Sequence, residues 1–272
     1  MSRLSDKVII ITGASSGIGK STALAASQRG GKMVLAARNL AFLNSVGELC
    51  RKNGAQVLIV QTDVSKEEDC RLLIDKTIKH FGRIDVLINN AGISMRAVFE
   101  RTDLSVIHKI MDVNFWGTVY CTKYALPFLL ESKGSVVGVS SIAGYKGLPG
   151  RTGYSASKFA MQGFLDALRV ENLKKGLHVL VACPGFTASN IRAVALSADG
   201  SPQGESPRDE GKMMSSEKVA EYLLDAIEKK KRSIILTTVG KLTVWLNKLF
   251  PSKLDTMVYN QMAKEHDSPF NP

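Results

Sequence analysis

No apolar run in the sequence approaches the ~20 residues that a bilayer-spanning helix needs. The four cysteines, Cys50, Cys70, Cys121 and Cys183, lie far apart with no C-x-x-C pair. That spacing argues against a disulfide framework and against a zinc site. Nothing from Met1 to Lys7 resembles a signal peptide before a hydrophobic strand begins, so reduced thiols and a cytoplasmic setting are expected. Acid is missing altogether from Lys229 to Lys253, where seven of the basic residues behind a net charge of +11 are gathered. The rest of the chain is only mildly basic, which points to an anionic small molecule rather than to nucleic acid.

With 44% hydrophobic residues over 272 positions, one full domain is expected. Val8 to Thr12 is a short β-branched run suited to a parallel strand buried on both faces. It opens into Gly13-Ala14-Ser15-Ser16-Gly17-Ile18-Gly19, followed by an Ala-rich helical stretch from Lys20 to about Arg29. Strand, glycine turn and helix together receive phosphate on backbone N–H groups and the helix dipole. The same residues also read as a P-loop lacking its first glycine, because Ala14 stands there, and as the G-x-S-x-G elbow of hydrolases. Later strands must decide.

Further strands are predicted at Lys32 to Ala37, Gln56 to Gln61, Ile84 to Ile88, Ser135 to Val139, Leu177 to Ala182 and Ser233 to Leu236. Helical patterns alternate with them. This calls for an α/β doubly wound parallel sheet of about seven strands, flanked by helices. Polar or glycine signals collect at the carboxyl ends: Arg38 and Asn39 after the second strand, Asp63 and Val64 after the third, Asn90-Ala91-Gly92 after the fourth, Ser141 after the fifth, and Pro184-Gly185 after the sixth. Arg38 is suited to a 2′-phosphate and favours NADP, its plain alternative being a solvated surface residue. Asp63 reads equally as a helix N-cap. Asn114 sits inside a helical pattern from Asp103 to about Leu130, where Asn is a mediocre residue, and suggests a local irregularity or a buried polar task. Tyr154 and Lys158 are four apart on a helix, so a phenol and an ammonium share one face. An adjacent cation favours the phenolate, whereas an isolated pair of this kind is usually an ordinary helical neighbour pair.

Thr12 with Gly13, Gly17 and Gly19, then Asn90-Ala91-Gly92, Asn114, Ser141, Tyr154-x-x-x-Lys158 and Pro184-Gly185, in this order, resemble the classical short-chain dehydrogenase/reductase family from about Lys7 to Leu236. The resemblance implies a Rossmann-like catalytic domain over residues 1–238 and an oxidoreductase that interconverts a carbonyl and a secondary alcohol, with NADPH preferred over NADH. Tyr154 is implied as the general acid/base, Lys158 as its electrostatic partner and holder of the nicotinamide ribose, Ser141 as a hydrogen-bond partner of the substrate oxygen, and Asn114 as part of a proton relay. The glycine turn, including Ser15, Ser16 and Ile18, is implied for the pyrophosphate. Asp63 and Val64 are implied for the adenine edge, Asn90 with Ala91 and Gly92 for the adenosine side, and Arg38, assisted by Ser15 or Asn39, for the 2′-phosphate. Where many members place a nicotinamide-contacting Thr this chain has Ser189, with Thr187 nearby, and either hydroxyl can serve. A catalytically silent NADP(H) sensor and a P-loop nucleotidase are the alternatives.

Residues 192–216, rich in Gly, Ser, Pro and charge, read as a lid over the substrate or as a disordered insertion. Residues 239–272 form an amphipathic extension, with Leu242, Trp245, Leu246, Leu249 and Phe250 at helical spacing and Lys241, Lys248 and Lys253 beside them. It is expected to pack over the substrate mouth or on a second subunit; the alternative is an anionic membrane surface. The family resemblance implies a homodimer or homotetramer, and an apolar tail at the site favours a hydrophobic carbonyl or alcohol.

Overall fold

The computed structural model describes residues 2–185, 187, 191, 192, 194–204, 213–264, 268 and 270. Every residue of β1 (Val8–Thr12) is buried, and its side chains alternate between two cores. Ile9 and Ile11 face one, Val8 and Ile10 the other. This is the pattern of a strand covered on both faces. The chain then runs α1 (Gly17–Gln28), β2 (Lys32–Ala37), α2 (Leu40–Lys52), β3 (Val57–Gln61), α3 (Glu67–Phe81) and β4 (Val86–Asn89). It continues through α4 (Leu104–Met111), α5 (Gly117–Glu131), β5 (Ser135–Val139), α6 (Thr152–Glu171), β6 (His178–Cys183), α7 (Ser216–Glu228), β7 (Ser233–Ile235), α8 (Thr238–Leu249) and α9 (Pro251–Ala263).

The strands form one seven-stranded sheet in the order β3-β2-β1-β4-β5-β6-β7, with every pairing parallel. α1, α2 and α7 supply Ala26, Leu43 and Leu224 to one core; α3, α5 and α6 supply Leu73, Leu129 and Leu165 to the other. The strand order reverses between β1 and β4, so a crevice opens at the carboxyl ends of these strands. At the opposite end, the buried carboxylate of Asp85 accepts from Val8 N (3.0 Å), Arg83 Nη2 (2.7 Å) and Lys7 Nζ (3.2 Å). Burial pushes its pKa up, but these partners outweigh burial and hold it below the ordinary carboxylate value.

Two expectations are corrected. The fourth strand begins at Val86 rather than Ile84: Asp85 bonds by its backbone to Val8 O (3.0 Å) and Ser135 N (2.8 Å), but the Val8 N–H is taken by its carboxylate instead of a main-chain carbonyl. The long helix from Asp103 is split by a π-helical turn at Asp112–Trp116 between α4 and α5. Asn114, at its centre, is fully buried, and Thr118 Oγ1 donates to its carbonyl at 3.0 Å. Such turns reposition one side chain within an otherwise regular helix.

Gly138 of β5 lies under the Leu165 and Met161 side chains, so a side chain there would force these α6 residues to repack. α6 therefore sits close enough to carry its first turns over the carboxyl end of β5.

Candidate active site

The turn between β1 and α1 is left-handed at Gly13 (φ 66°) and Gly17 (φ 51°), a region open to glycine and strained for other residues. It is braced from β4. Thr12 Oγ1 accepts from the N–H groups of Asn90 and Ala91, both at 3.0 Å, and Asn90 Nδ2 donates to the carbonyls of Thr12 (2.9 Å) and Gly13 (3.2 Å). Asn90 thus holds the glycine turn in shape with its side chain. Ser16 is the exposed N-cap of α1 and its hydroxyl makes no capping bond, while Ser15, Gly17 and Ile18 are half-buried and Gly19 is buried. The first N–H groups of α1 have no intrahelical acceptor and so suit an anion. The P-loop alternative fits poorly: Ser21 Oγ donates to Glu217 on α7 (3.1 Å). For the hydrolase alternative, His178 is engaged by Ser135 Oγ and Lys231 O at the far end of the sheet, and His266 lies outside the described residues.

Arg38 follows β2 and is exposed, its carbonyl accepting from Gln61 Nε2 at 2.9 Å. Asn39 caps α2, accepting from Phe42 N at 3.1 Å. Asp63 Oδ1 accepts from the backbone and hydroxyl of Ser65 (3.1 and 2.8 Å), and Val64 packs against Gly117. Asp63 is therefore a turn-forming residue.

Tyr154 and Lys158 come together on α6, both buried. Lys158 Nζ lies 5.7 Å from the Tyr154 ring centroid and donates to Val139 O at 2.9 Å. Gly92 completes the pocket floor: a Cβ there would stand 3.2 Å from Asn114 Oδ1 and 3.6 Å from Lys158 Nζ. The Asn114 side chain accepts from Ile93 N (2.8 Å) and donates to Ile93 O and Ser157 Oγ (both 2.9 Å), tying α4–α5 to the end of β4 and to α6. Ser141 follows β5 and its hydroxyl accepts from Ala143 N at 3.2 Å in a short 3-10 turn, Ile142–Gly144.

Burial pushes the Tyr154 phenol above its ordinary value; a hydrogen bond with Ser141 and the charges of Arg151 and Arg192 pull the other way. Burial also lowers Lys158 to about 8, so it is mostly an ammonium at neutral pH.

Arg151, Arg192, Ser157 and Gln162 are site residues that sequence reasoning missed. Gln162 Nε2 donates to Ser140 Oγ (2.9 Å) and lies four residues past Lys158, so the rule that pairs Tyr154 with Lys158 also reaches it. Arg151 caps α6 three residues before Tyr154, within reach of the same local rule, whereas only the fold brings Arg192 to the phenol.

After β6, Pro184 is buried and Gly185 (φ 80°) packs against Thr237. The Thr187 carbonyl accepts from Arg192 Nη2 at 2.7 Å, but its buried hydroxyl has no hydrogen-bond partner among the described residues. Ser189 lies outside the described residues, as does 205–212 of the segment expected as a lid. The part that is described folds over the site: Leu196 bridges to Met95 and to Pro202, and joins Met95, Val106, Ile110, Ala143 and Tyr154 in a small apolar cluster.

These features fit a dinucleotide: a braced glycine turn before a helix N-terminus, an Arg after β2, a small-residue floor beside Lys158, and an orphaned hydroxyl at Thr187. Among the described residues, no group of three or more His, Cys, Asp or Glu could hold a metal ion.

A sequence model described as short chain dehydrogenase matches residues 7–199. Dehydrogenase/reductase SDR family member 7B of Mus musculus is 35% identical over 271 residues, covering 97% of this chain and 84% of that protein. 11-beta-hydroxysteroid dehydrogenase A of Arachis hypogaea is 44% identical over 197 residues, 71% of this chain; the match spans 56% of that protein's own length. Among solved structures, a short chain dehydrogenase/reductase from Burkholderia phymatum in complex with NAD aligns with a TM-score of 0.82 at 25% identity, covering 91% of this chain and 95% of that one. An alcohol dehydrogenase from the archaeon Thermococcus sibiricus, complexed with 5-hydroxy-NADP, aligns with a TM-score of 0.77 at 25% identity, covering 87% and 98%.

Proposed function

The chain belongs to the short-chain dehydrogenase/reductase family of oxidoreductases, and from that premise we propose that it interconverts a hydrophobic carbonyl compound and its secondary alcohol with NADP(H). The observation that carries this reading is the convergence of Tyr154, Lys158, Asn114 and Ser141 at the carboxyl ends of β4 and β5, beside a braced glycine turn. A bound nicotinamide supplies the hydride in reduction and accepts it in oxidation. In the reductive direction Tyr154 Oη donates a proton to the substrate oxygen, and Ser141 Oγ holds that oxygen by a second hydrogen bond. Lys158 keeps a positive charge beside the phenol, which favours the phenolate left behind. Asn114 fixes Ile93 and Ser157 so that the floor at Gly92 and the face of α6 keep their spacing. The Leu196 cluster shields this centre with apolar groups, which supports an apolar substrate. A homo-oligomeric, cytoplasmic enzyme belongs to the same proposal, in line with four free and buried thiols.

Arg38 supports the NADP preference. NADPH is expected to bind more tightly than NADH. Arg38→Asp should weaken NADPH by roughly 10- to 100-fold, the equivalent of a charge-assisted hydrogen bond of ~1.5–3 kcal/mol, with little effect on NADH. Titration by cofactor fluorescence measures this. Equal affinities in the wild type would remove the preference, and tighter binding of magnesium-ATP than of either dinucleotide would remove the oxidoreductase reading. A panel of carbonyls with NADPH, and of alcohols with NADP⁺, then narrows the substrate.

Thr187 is proposed as the hydroxyl that meets the nicotinamide amide. Because its Oγ1 is buried and unpaired, Thr187→Val should leave the melting temperature of the free enzyme unchanged or slightly raised. Cofactor affinity should fall roughly 2- to 10-fold, as for one neutral hydrogen bond of ~0.5–1.5 kcal/mol. Unchanged affinity would return the role to Ser189.

A further inference from the structure

One face of α8 is committed to the protein. A Cβ at Gly240 would stand 2.7 Å from Ile142 Cδ1, Asn247 Nδ2 donates to Tyr145 O at 3.0 Å, and Lys146 pairs with Asp255 on α9. The helix is therefore seated on the short turn that follows Ser141. Its other face carries Val239, Leu242, Trp245, Leu249 and Phe250, each between 47% and 67% exposed. The spacing of three and four from Val239 to Leu249 places these four along one stripe, and Phe250, the C-cap, follows at its end. A contiguous stripe of large apolar side chains goes beyond the single exposed residues normal on a protein surface.

Charge decides what covers it. Lys241 and Lys248, seven residues apart, run along one border of the stripe, and Lys253 Nζ lies 5.6 Å over the Phe250 ring. Residues 233–254 hold three basic residues, Lys241, Lys248 and Lys253, and no acid, and Asp255, the first acid beyond them, is engaged by Lys146. A second copy docking through a two-fold axis would set this patch against itself, lysine row facing lysine row with no carboxylate between them. An anionic lipid surface offers both what the lysines need and a medium for the apolar stripe. No described helix is long and apolar enough to cross a membrane, so the geometry required is in-plane.

We propose that α8 lies in the plane of an anionic bilayer surface, with Leu242, Trp245 and Leu249 in the acyl boundary and Lys241, Lys248 and Lys253 on the headgroups. Docking in this way holds the turn after Ser141 about one helix diameter, ~10 Å, from the lipid. The inference does not depend on the reaction assigned to the crevice.

The test is flotation of the full chain with phosphatidylcholine vesicles, with and without phosphatidylserine, at low salt. The wild type is expected to float with the phosphatidylserine vesicles, to stay largely behind with phosphatidylcholine alone, and to dissociate as salt is raised. Lys241→Gln with Lys248→Gln should weaken binding by roughly 25-fold, about fivefold for each lysine. Leu242→Ser with Trp245→Ser should abolish it while thermal melting and NADPH binding are kept. In a Trp116→Phe background Trp245 is the sole tryptophan, and its emission should shift to the blue on adding vesicles. Failure to float at low salt with an intact fold overturns the proposal. So does a dimer seen by sedimentation that the Leu242/Trp245 variant breaks in the absence of lipid binding, since a second copy would then cover the stripe.

Discussion

Tyr154→Phe is expected to lower carbonyl reduction by about 10²- to 10⁴-fold, the range associated with a positioned proton donor, while NADPH binding stays close to that of the wild type. The ring itself packs with Met95, Val106, Ile110, Ala143 and Leu196. Phe keeps this packing, so the variant should fold and melt as the parent does. What it loses is the hydroxyl whose proton is poised between opposing influences: burial raises its pKa, Ser141, Arg151 and Arg192 lower it. Reduction uses the phenol and oxidation the phenolate. With the phenol above its ordinary value, reduction should hold constant through neutral pH, and oxidation should climb as pH rises. Stopped-flow or steady-state turnover of any substrate accepted by the wild type measures the effect. Near-normal turnover by Tyr154→Phe would take the proton transfer away from this residue, and a pH profile unchanged by the substitution would do the same for its titration.

The sheet was legible because burial on both faces leaves a simple mark: β1, β2 and β5 fall where their apolar runs fall, and α2 where its period and its Asn39 cap place it. Deviations occur where a polar side chain is drawn out of its element by a partner remote in sequence. Asp85 reaches across to Val8, 77 residues away, at the point where β4 begins. Asn114 reaches Ile93 and Ser157, and the helix around it takes a π-helical turn. A lone Asn in a helical pattern announced the irregularity without naming its form. The chemical centre was similarly half legible. Tyr154 and Lys158 share a helix face by spacing alone, and Arg151 caps the same helix three residues before Tyr154, but Arg192 arrives by tertiary packing, which local sequence does not encode. Asn90 is an instructive case: its small-residue turn suggested contact with the cofactor, whereas its amide is spent on the carbonyls of Thr12 and Gly13. It shapes the site from behind.

That bracing leads to the second large effect, at Gly19. A methyl group at this position would stand 2.6 Å from Asn90 Nδ2 and 2.9 Å from the carbonyl carbon of Gly13, with the Gly13 oxygen closer still. The atoms in the way are backbone and a hydrogen-bonded amide, not the free end of a flexible chain. Gly19→Ala must therefore shift the turn or break the Asn90 latch. Overpacking of this kind costs about 1–3 kcal/mol of stability. Binding should suffer more than stability, because the displaced N–H groups are those proposed to receive the phosphates, and NADPH affinity is expected to fall roughly 10- to 100-fold, as if one or two charge-assisted hydrogen bonds were lost. Gly163→Ala provides the contrast. It is the same chemical change, in the exposed interior of α6, where nothing lies within 4 Å of the added carbon. There Ala should raise stability by about 0.5–1 kcal/mol through helix propensity and leave NADPH binding alone. Thermal melts and NADPH titrations of the two variants separate the explanations. If Gly19→Ala binds NADPH as the wild type does, the close approach of β1, α1 and Asn90 is not what shapes the phosphate site, and the dinucleotide must be held elsewhere along the crevice.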